Sequence, residues 1–253
     1  MSAYTGLAAH YDQLMDHVDY AAWADFAERQ FARTKTPVRL VLDLACGTGQ
    51  LTCLLAGRGY DMIGVDSSED MLAQAQASAA GLDPPPLFLC QQMQQLDLYG
   101  TVDAAVCCLD GLNYLTAERD VRRALTRVRL FLAPGGVFVF DALMPAHFAA
   151  RDGRDFVSRA EAAFCVWHTD WNPHRLLARH TLDLFARGPD DLWRRTEETH
   201  TQRAYPPETW RRLLAEVGFV GIRAHGPRAL RRGRTDENRI FFVVHSPAAR
   251  RRA

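Results

Sequence analysis

One stretch of sequence decides the fold class, Val41-Leu42-Asp43-Leu44-Ala45-Cys46-Gly47-Thr48-Gly49-Gln50-Leu51-Thr52. Its start belongs to a short apolar run, residues 38–44, which is typical of a strand buried on both faces within a parallel sheet. Two glycines follow, and leucines then recur at helical spacing. The stretch predicts a strand, a tight loop and a helix, and such a loop holds an anionic group near the positive helix start.

The kind of ligand follows from two residues around this loop. A dinucleotide fingerprint, G-x-G-x-x-G, needs a third small residue, and Thr52 stands in that place. Asp43 precedes Gly47 by four residues, where its carboxylate would repel a diphosphate but suits a ligand that also carries positive charge. On this loop alone, an ordinary glycine turn in an α/β domain remains open.

A second strand, residues 61–66, ends in another acid, Asp66. In doubly wound folds an acid at this position binds ribose, because a carboxylate accepts two hydrogen bonds from a vicinal diol. Ser67 and Ser68 then offer a helix cap, and two acids stand in the first turn, where negative charge is favoured. The glycine loop and this acid together indicate a nucleoside-containing ligand.

The two segments resemble the first two motifs of the class I S-adenosylmethionine (SAM)-dependent methyltransferases. Asp43-Leu44-Ala45-Cys46-Gly47-Thr48-Gly49 is similar to the acid followed by G-x-G-x-G, with Ala45 in place of the first glycine. Gly64-Val65-Asp66-Ser67-Ser68-Glu69-Asp70-Met71-Leu72 is similar to the second motif. The resemblance implies an α/β, Rossmann-like, doubly wound sheet of seven mostly parallel strands, with SAM as methyl donor and S-adenosylhomocysteine (SAH) as product.

The same resemblance implies which residues contact the cofactor. Relatives carry an acid and an apolar residue after the third strand for adenine, and Gln92 and Met93 take those places, with a surface glutamine run as the alternative. A leading Tyr-Asp pair, here Tyr11-Asp12, covers the site in such enzymes. The full predicted cofactor set is Tyr11, Asp43, Ala45, Cys46, Gly47, Gly49, Asp66, Ser67, Met71, Gln92, Met93 and Leu109.

Residues 151–205 interrupt the alternation of strands and helices. Three segments, residues 164–171, 176–187 and 192–205, have strand patterns separated by turn residues. They predict a small antiparallel β-sheet inserted as a lid over the acceptor, a layout similar to that of glycine and amino-sugar N-methyltransferases. The predicted domains are residues 1–150 with 206–253 for SAM, where 1–36 form a helical cover, and residues 151–205 for the lid.

The predicted reaction is direct displacement of the methyl group onto a small polar acceptor, at nitrogen or oxygen. This chemistry needs alignment and exclusion of water, and it requires no metal. His200 is the first candidate for a general base and Asp110 the second. The alternative for His200 is a structural polar residue on a lid strand, and turn chemistry around Gly111 explains Asp110 and Asn113 equally well. The predicted acceptor-binding residues are Asn113, Tyr114, Trp167 and Arg203.

Composition bounds the partners and the compartment. The 253 residues carry zero formal net charge, which gives no general electrostatic argument for nucleic acid or membrane binding. The six cysteines form no C-x-x-C pair, and residues 1–7 lack a signal-peptide pattern, so we expect a reducing cytoplasm. The expected partner is a small-molecule acceptor, and the expected state is a monomer or homodimer.

Two alternatives remain at this stage. An RNA methyltransferase would use a basic patch, and six arginines cluster late in the chain: Arg223, Arg228, Arg231, Arg232, Arg234 and Arg239. A SAM-binding protein without catalysis would need no enclosed acceptor pocket, so the predicted lid argues against it.

Overall fold

A computed structural model describes residues 6–188, 190–230 and 238–249. The described helices are α1 Tyr11–Leu14, α2 Tyr20–Phe31, α3 Gln50–Gly57, α4 Glu69–Ser78, α5 Glu118–Phe131, α6 Pro145–Ala149 and α7 Pro207–Val217. The described strands are β1 Leu40–Leu44, β2 Asp61–Asp66, β3 Leu87–Cys90, β4 Val102–Cys107, β5 Leu132–Leu143, β6 Arg154–Arg159, β7 Ala163–Asn172, β8 Leu177–Arg187, β9 Trp193–Arg203, β10 Val220–His225 and β11 Arg239–His245.

Seven strands form one sheet in the order β10-β11-β5-β4-β1-β2-β3. Strand β1 pairs in parallel with β2 and β4, whereas β11 pairs antiparallel with both β5 and β10. The predicted seven-stranded, mostly parallel sheet is therefore confirmed. The order reverses at β1 and β4, so ligands of such a fold bind beyond the carboxyl ends of these strands.

Apolar side chains on both faces of β1 explain why it lies at the centre. Val41 packs on one face with α2 and α3, while Leu42 and Leu44 pack on the other with α5 and α7, and all three are fully buried. A strand with two buried faces reads as a continuous apolar run, and this is the pattern that the sequence shows. The sheet thus fixes the end of β1 rigidly between two helical layers.

Four further strands form a separate antiparallel sheet, which we call the small sheet, in the order β6-β7-β8-β9. The predicted insertion is confirmed as a sheet, but the sequence missed its first strand, Arg154–Arg159. That strand lies at the edge and is almost entirely exposed, so it lacks the apolar alternation by which strands are recognised. One face of the small sheet buries Cys165 and Leu184 against Leu7 and Leu14 from the N-terminal segment.

Candidate active site

A cavity of about 170 Å³ lies beyond the carboxyl ends of β1, β2 and β4. Of the residues predicted for the cofactor, those that line it are Tyr11, Asp43, Ala45, Cys46, Gly47, Asp66, Ser67, Met71, Met93 and Leu109. The cavity is also lined by seven residues that the sequence analysis did not assign to the site: Tyr20, Trp23, Thr48, Leu51, Ser68, Cys108 and Gly111. Two predicted residues, Gly49 and Gln92, are absent from the lining.

The glycine loop bends through three left-handed residues. Ala45, Gly47 and Gly49 have φ angles of 59°, 55° and 76°. Gly49 begins α3 and packs so tightly on α4 that an added Cβ would come within 2.9 Å of the Ala75 Cβ. Gly49 therefore shapes the loop from behind the cavity. Ala45 thus has a left-handed conformation that is unfavourable for alanine, at the position where the family motif has glycine.

Asp66 closes this loop against the end of β2. Its two carboxylate oxygens accept hydrogen bonds from the backbone N–H groups of Gly47, at 3.0 Å, and Ser68, at 2.9 Å. Burial raises the pKa of Asp66, and these backbone bonds oppose that rise. A carboxylate has about four lone-pair sites, so Asp66 can hold the loop and still accept bonds from a diol.

Asp43 lies at the floor of the cavity with a specific partner. Its carboxylate accepts a 2.6 Å bond from the Thr52 hydroxyl, and both side chains are buried. Burial raises the pKa of Asp43 to about 7, the charge of Asp66 adds to the rise, and the Thr52 bond opposes it. Thr52 occupies the position where a dinucleotide fingerprint has a small residue, and its hydroxyl fixes the Asp43 carboxylate by this hydrogen bond.

The N-terminal segment is attached to the glycine loop through Asp12. Its carboxylate accepts bonds from the Thr48 hydroxyl at 2.5 Å and from the Gln50 amide at 2.6 Å. These bonds bring Tyr11 and the start of α2 over the cavity. Trp23 of α2 packs in the core, with its ring centre 5.0 Å from that of Phe241, and it also lines the cavity. The helical apolar stripe predicts only the core contact.

The two residues predicted to contact adenine, Gln92 and Met93, lie in different depressions of the structure. Met93 lines the cavity, whereas Gln92 is exposed and lies in a neighbouring depression with Cys90, Gln91 and Gln95. Ser67 lines both spaces, so the depression adjoins the cavity. The adenine contact of Gln92 stays a prediction.

The loop after β4 contains two consecutive strained residues. Leu109 and Asp110 have φ angles of 60° and 56°, and strain of this kind concentrates at functional sites. Leu109 lines the cavity, but Asp110 does not. The Asp110 carboxylate instead accepts a 2.7 Å bond from the Gln202 amide of the small sheet and pairs with Arg239 at 3.0 Å. Its predicted role as a base stays a prediction, with both oxygens already engaged.

Arg239 lies at the junction of the two sheets, with only 11% of its side chain exposed. Its guanidinium pairs with Asp110 and Asp141 and lies 5.5 Å from the centre of the Trp23 ring. Burial raises the pKa of Asp141, and the charge of Arg239 opposes the rise. Arg239 is therefore not part of a surface phosphate-binding patch. Three other members of the predicted cluster, Arg231, Arg232 and Arg234, lie outside the described residues.

His200 stands one residue behind the cavity wall. Its side chain is fully buried, with Nδ1 3.2 Å from the Tyr114 hydroxyl and Nε2 3.0 Å from the Glu198 carboxylate. Tyr114 lines the cavity, whereas His200 does not. The predicted base and one predicted acceptor-binding residue are thus joined by a hydrogen bond, in an order that the sequence could not give.

The remaining predicted acceptor-binding residues lie outside the cavity lining. Asn113 is fully buried, donates to the carbonyl groups of Leu143 and Arg203, and accepts from the Leu143 N–H. The Arg203 guanidinium donates to the Thr116 carbonyl at 3.0 Å. Trp167 meets the His200 ring edge-on, with centres 6.3 Å apart. Their contact with an acceptor stays a prediction, since each now has a structural partner.

Two further properties concern the described ranges. Within residues 6–188, 190–230 and 238–249, no group of three or more histidine, cysteine, aspartate or glutamate side chains is arranged to hold a metal ion. None of the helices in this part of the chain combines the length and the apolar character that crossing a membrane requires.

Comparison with known sequences points to one family. The sequence profile described as "Methyltransferase domain" matches residues 41–136. The protein named "Putative methyltransferase YqeM" from Bacillus subtilis (strain 168) is 33% identical over 218 residues, which cover 85% of this chain and 86% of that protein. A glycine/sarcosine N-methyltransferase from Parasynechococcus marenigrum (strain WH8102) is 29% identical, over 81% of this chain and 70% of that one.

Comparison with solved structures gives the same result. The crystal structure of an S-adenosylmethionine-dependent methyltransferase from Clostridium acetobutylicum ATCC 824 matches with a TM-score of 0.83 at 26% identity. The match covers 98% of this chain and 100% of that chain, so it includes the small sheet as well as the large one. The chain therefore belongs to the class I SAM-dependent methyltransferases and is an enzyme of that kind.

Proposed function

We propose that this enzyme transfers the methyl group of SAM to a nitrogen or oxygen of a small polar acceptor. The observation that carries the proposal is the placement of two unlike walls around one cavity. Asp43 and Asp66 stand on the glycine-loop side, and Tyr114 stands between the cavity and the small sheet. One side suits a charged nucleoside donor, and the other suits an acceptor that makes polar contacts.

The residues on the glycine-loop side match the chemistry of SAM. Asp66 offers carboxylate oxygens to a ribose diol, and the buried Asp43 offers negative charge to a cationic ligand. Met71, Met93 and Leu109 supply apolar surface for a flat base. When bound, SAM supplies a methyl group on positively charged sulfur, which is already a good leaving group. The chain's own task is to hold and orient the reactants and to exclude water.

We assign the domains as the sequence predicted them. Residues 1–150 and 206–253 bind SAM, with residues 1–36 as a cover, and residues 151–205 form the lid. Support comes from the separate hydrogen bonding of the two sheets and from Glu198 of the small sheet, which accepts backbone bonds from Gly6 and Leu7. The cover is thus held between the lid and the glycine loop, where it can shield the cavity from water.

Nitrogen is the acceptor atom that we favour. A relative named glycine/sarcosine N-methyltransferase is similar over most of the chain, and the cavity wall of Tyr11, Tyr20, Trp23 and Tyr114 presents aromatic rings that attract a cationic amine. We place the enzyme in the cytoplasm because all six of its cysteines are free. We further propose that it acts as a monomer or homodimer.

Two measurements test this proposal. Isothermal titration with SAM, SAH and NAD should give binding of the first two and none of the third. Turnover with methyl-labelled SAM should then be measured on glycine, sarcosine, glucosamine, lactate and total RNA, with methylation of an amine expected. NAD binding without SAM binding would contradict the cofactor assignment. Methylation of RNA alone would show that the acceptor is RNA and not a small polar molecule.

A further inference from the structure

Three side chains form a hydrogen-bonded row that leads from the cavity wall into the small sheet. Tyr114 lines the cavity and its hydroxyl lies 3.2 Å from Nδ1 of His200. Nε2 of His200 lies 3.0 Å from the Glu198 carboxylate. The side chain of His200 is fully buried and that of Glu198 is 13% exposed, so the row runs through protein and away from water.

The row fixes which nitrogen of His200 carries its proton. A carboxylate can only accept, so the nitrogen that faces Glu198 is the protonated one, Nε2. Nδ1 is then an acceptor, and the bond that it makes is donated by the Tyr114 hydroxyl. A buried acid that holds an imidazole in the tautomer needed to receive a proton is the arrangement found in the triads of hydrolases.

Neighbouring groups hold the row in place. The Trp167 ring meets His200 edge-on, and the Tyr114 ring does so at 5.9 Å between centres. The other oxygen of Glu198 accepts bonds from the N–H groups of Gly6, at 2.7 Å, and Leu7, at 3.1 Å. Both Glu198 oxygens therefore have fixed partners, which leaves the carboxylate no freedom to turn away from His200.

We propose that Tyr114 is the catalytic residue that removes a proton from the acceptor, and that His200 and Glu198 are positioning residues that receive and stabilise that proton. This inference rests on the proposed function, because it assumes that the acceptor lies beside Tyr114. It reverses the order suggested by sequence, in which histidine itself contacts the acceptor. The acceptor class is an amine or hydroxyl group that still carries a proton to be lost.

The step balances in atoms and charge. The acceptor's nitrogen or oxygen forms a bond to the methyl carbon, the carbon–sulfur bond breaks, and its electron pair stays on sulfur. The acceptor's proton passes to the Tyr114 oxygen as the Tyr114 proton passes to Nδ1 of His200. His200 is then a cation beside the Glu198 carboxylate, and its extra proton leaves to solvent after the product does.

The first test reads the row without any acceptor. Nitrogen-15 NMR of the histidine rings, in the presence of SAH at pH 8, should show His200 protonated at Nε2 and unprotonated at Nδ1. Glu198→Gln should reverse this tautomer. The single amide oxygen remains with Gly6 and Leu7, so the amide NH₂ faces His200 and must be accepted by Nε2. A proton on Nδ1 of the unaltered enzyme would overturn the proposal.

The second test measures turnover of whichever compound in the acceptor panel is methylated fastest. General acid–base groups contribute about 10²–10⁴-fold, so Tyr114→Phe and Glu198→Gln should each lower kcat by about 100-fold or more. The dissociation constant of SAM should stay within about twofold in both.

Matched controls separate the row from general damage. Tyr60→Phe removes a tyrosine hydroxyl from the loop after α3, and His168→Gln removes a histidine on β7 whose side chain is 41% exposed. Both should leave kcat unchanged. If the unaltered enzyme does not bind SAM, the proposed function is refuted. If Tyr114→Phe binds SAM normally and keeps full kcat, only the proposed proton transfer through Tyr114 and His200 is refuted. If no panel compound is methylated, the tautomer of His200 still decides the relay.

Discussion

The glycine-loop side of the cavity and the small sheet position their polar side chains over very different sequence distances. Asp43 is held by Thr52, nine residues away, and Asp66 is held by Gly47 and Ser68, at most nineteen residues away. In the small sheet, His200 meets Tyr114 across 86 residues and Glu198 meets Leu7 across 191. Local bonds leave a motif in the sequence, and distant ones do not.

The two regions also differ in the groups that they use. On the glycine-loop side, Asp43 and Asp66 are held by two backbone N–H groups and one hydroxyl, which many sequences can supply. The small sheet binds side chain to side chain, through Gln202 to Asp110 and through His200 to Tyr114. Substitutions in the first region should therefore act on cofactor affinity, and substitutions in the second should act on the coupling between the sheets.

The junction between the regions should give the largest effect. Arg239→Met removes the guanidinium that pairs with Asp110 and Asp141 and leaves two carboxylates facing each other in a buried site. Breaking a buried ion pair on one side costs about 3–5 kcal/mol, and we expect the free energy of unfolding to fall by that amount in denaturant titration. Arg223→Met is the control, because Arg223 is exposed and should change stability by less than about 0.5 kcal/mol. If the two substitutions lower the free energy of unfolding equally, the ion pairs of Arg239 do not stabilise the fold.

The next effect belongs to the glycine-loop side. Asp66→Ala should weaken SAM binding by about 1.5–3 kcal/mol, the range for hydrogen bonds to a charged group, measured by isothermal titration. The substitution should also lower the melting temperature, because Gly47 and Ser68 lose the carboxylate that accepts their N–H groups. This second effect departs from what a residue at the open end of a strand would suggest. Asp61→Ala, at the exposed start of the same strand, should change neither quantity.

The sequence predicted the central strands β1 and β2, because buried parallel strands are continuous apolar runs, and the family resemblance implied the rest of the large sheet. It also predicted most of the cavity lining on the glycine-loop side. It missed β6, which is an exposed edge strand, and the wall position of Trp23, which a helical stripe cannot distinguish from core. It named Tyr114 and His200 but not their order, since a pairing across two sheets depends on how the sheets dock. No local pattern encodes that docking.

Asp43 should make SAM binding depend on pH. Its pKa of about 7 lies above the unfolded value of about 4, so between these pH values the native unliganded protein keeps a proton that the unfolded chain has lost. Stability from this group therefore falls as pH rises from about 4 to 7. A cationic ligand favours the carboxylate and must displace that proton below pH 7, so SAM affinity should fall about tenfold from pH 8 to pH 6.

Asp43→Asn is the variant that isolates this effect. It keeps an oxygen for the Thr52 hydroxyl and removes the titration, so its SAM affinity should be lower at pH 8 and change less between pH 8 and pH 6. Titration calorimetry in buffers of different ionisation enthalpy should also show proton release on binding at pH 6 in the unaltered enzyme only. The same pH dependence in both proteins would assign it to the ligand or to another group.

The smallest effect tests the loop position where this chain departs from the family motif. Ala45 has a φ angle of 59°, and a left-handed conformation costs an alanine about 1–2 kcal/mol. Glycine removes that cost but loses more entropy on folding, so Ala45→Gly should raise the free energy of unfolding by up to about 1 kcal/mol. Ala73→Gly, at an exposed position inside α4, makes the same chemical change in a helical conformation and should lower it by about 1 kcal/mol. Denaturant titration of the pair gives the difference directly. If both substitutions destabilise equally, the strain at Ala45 is offset by the contacts of its methyl group, and the alanine is well adapted to this loop.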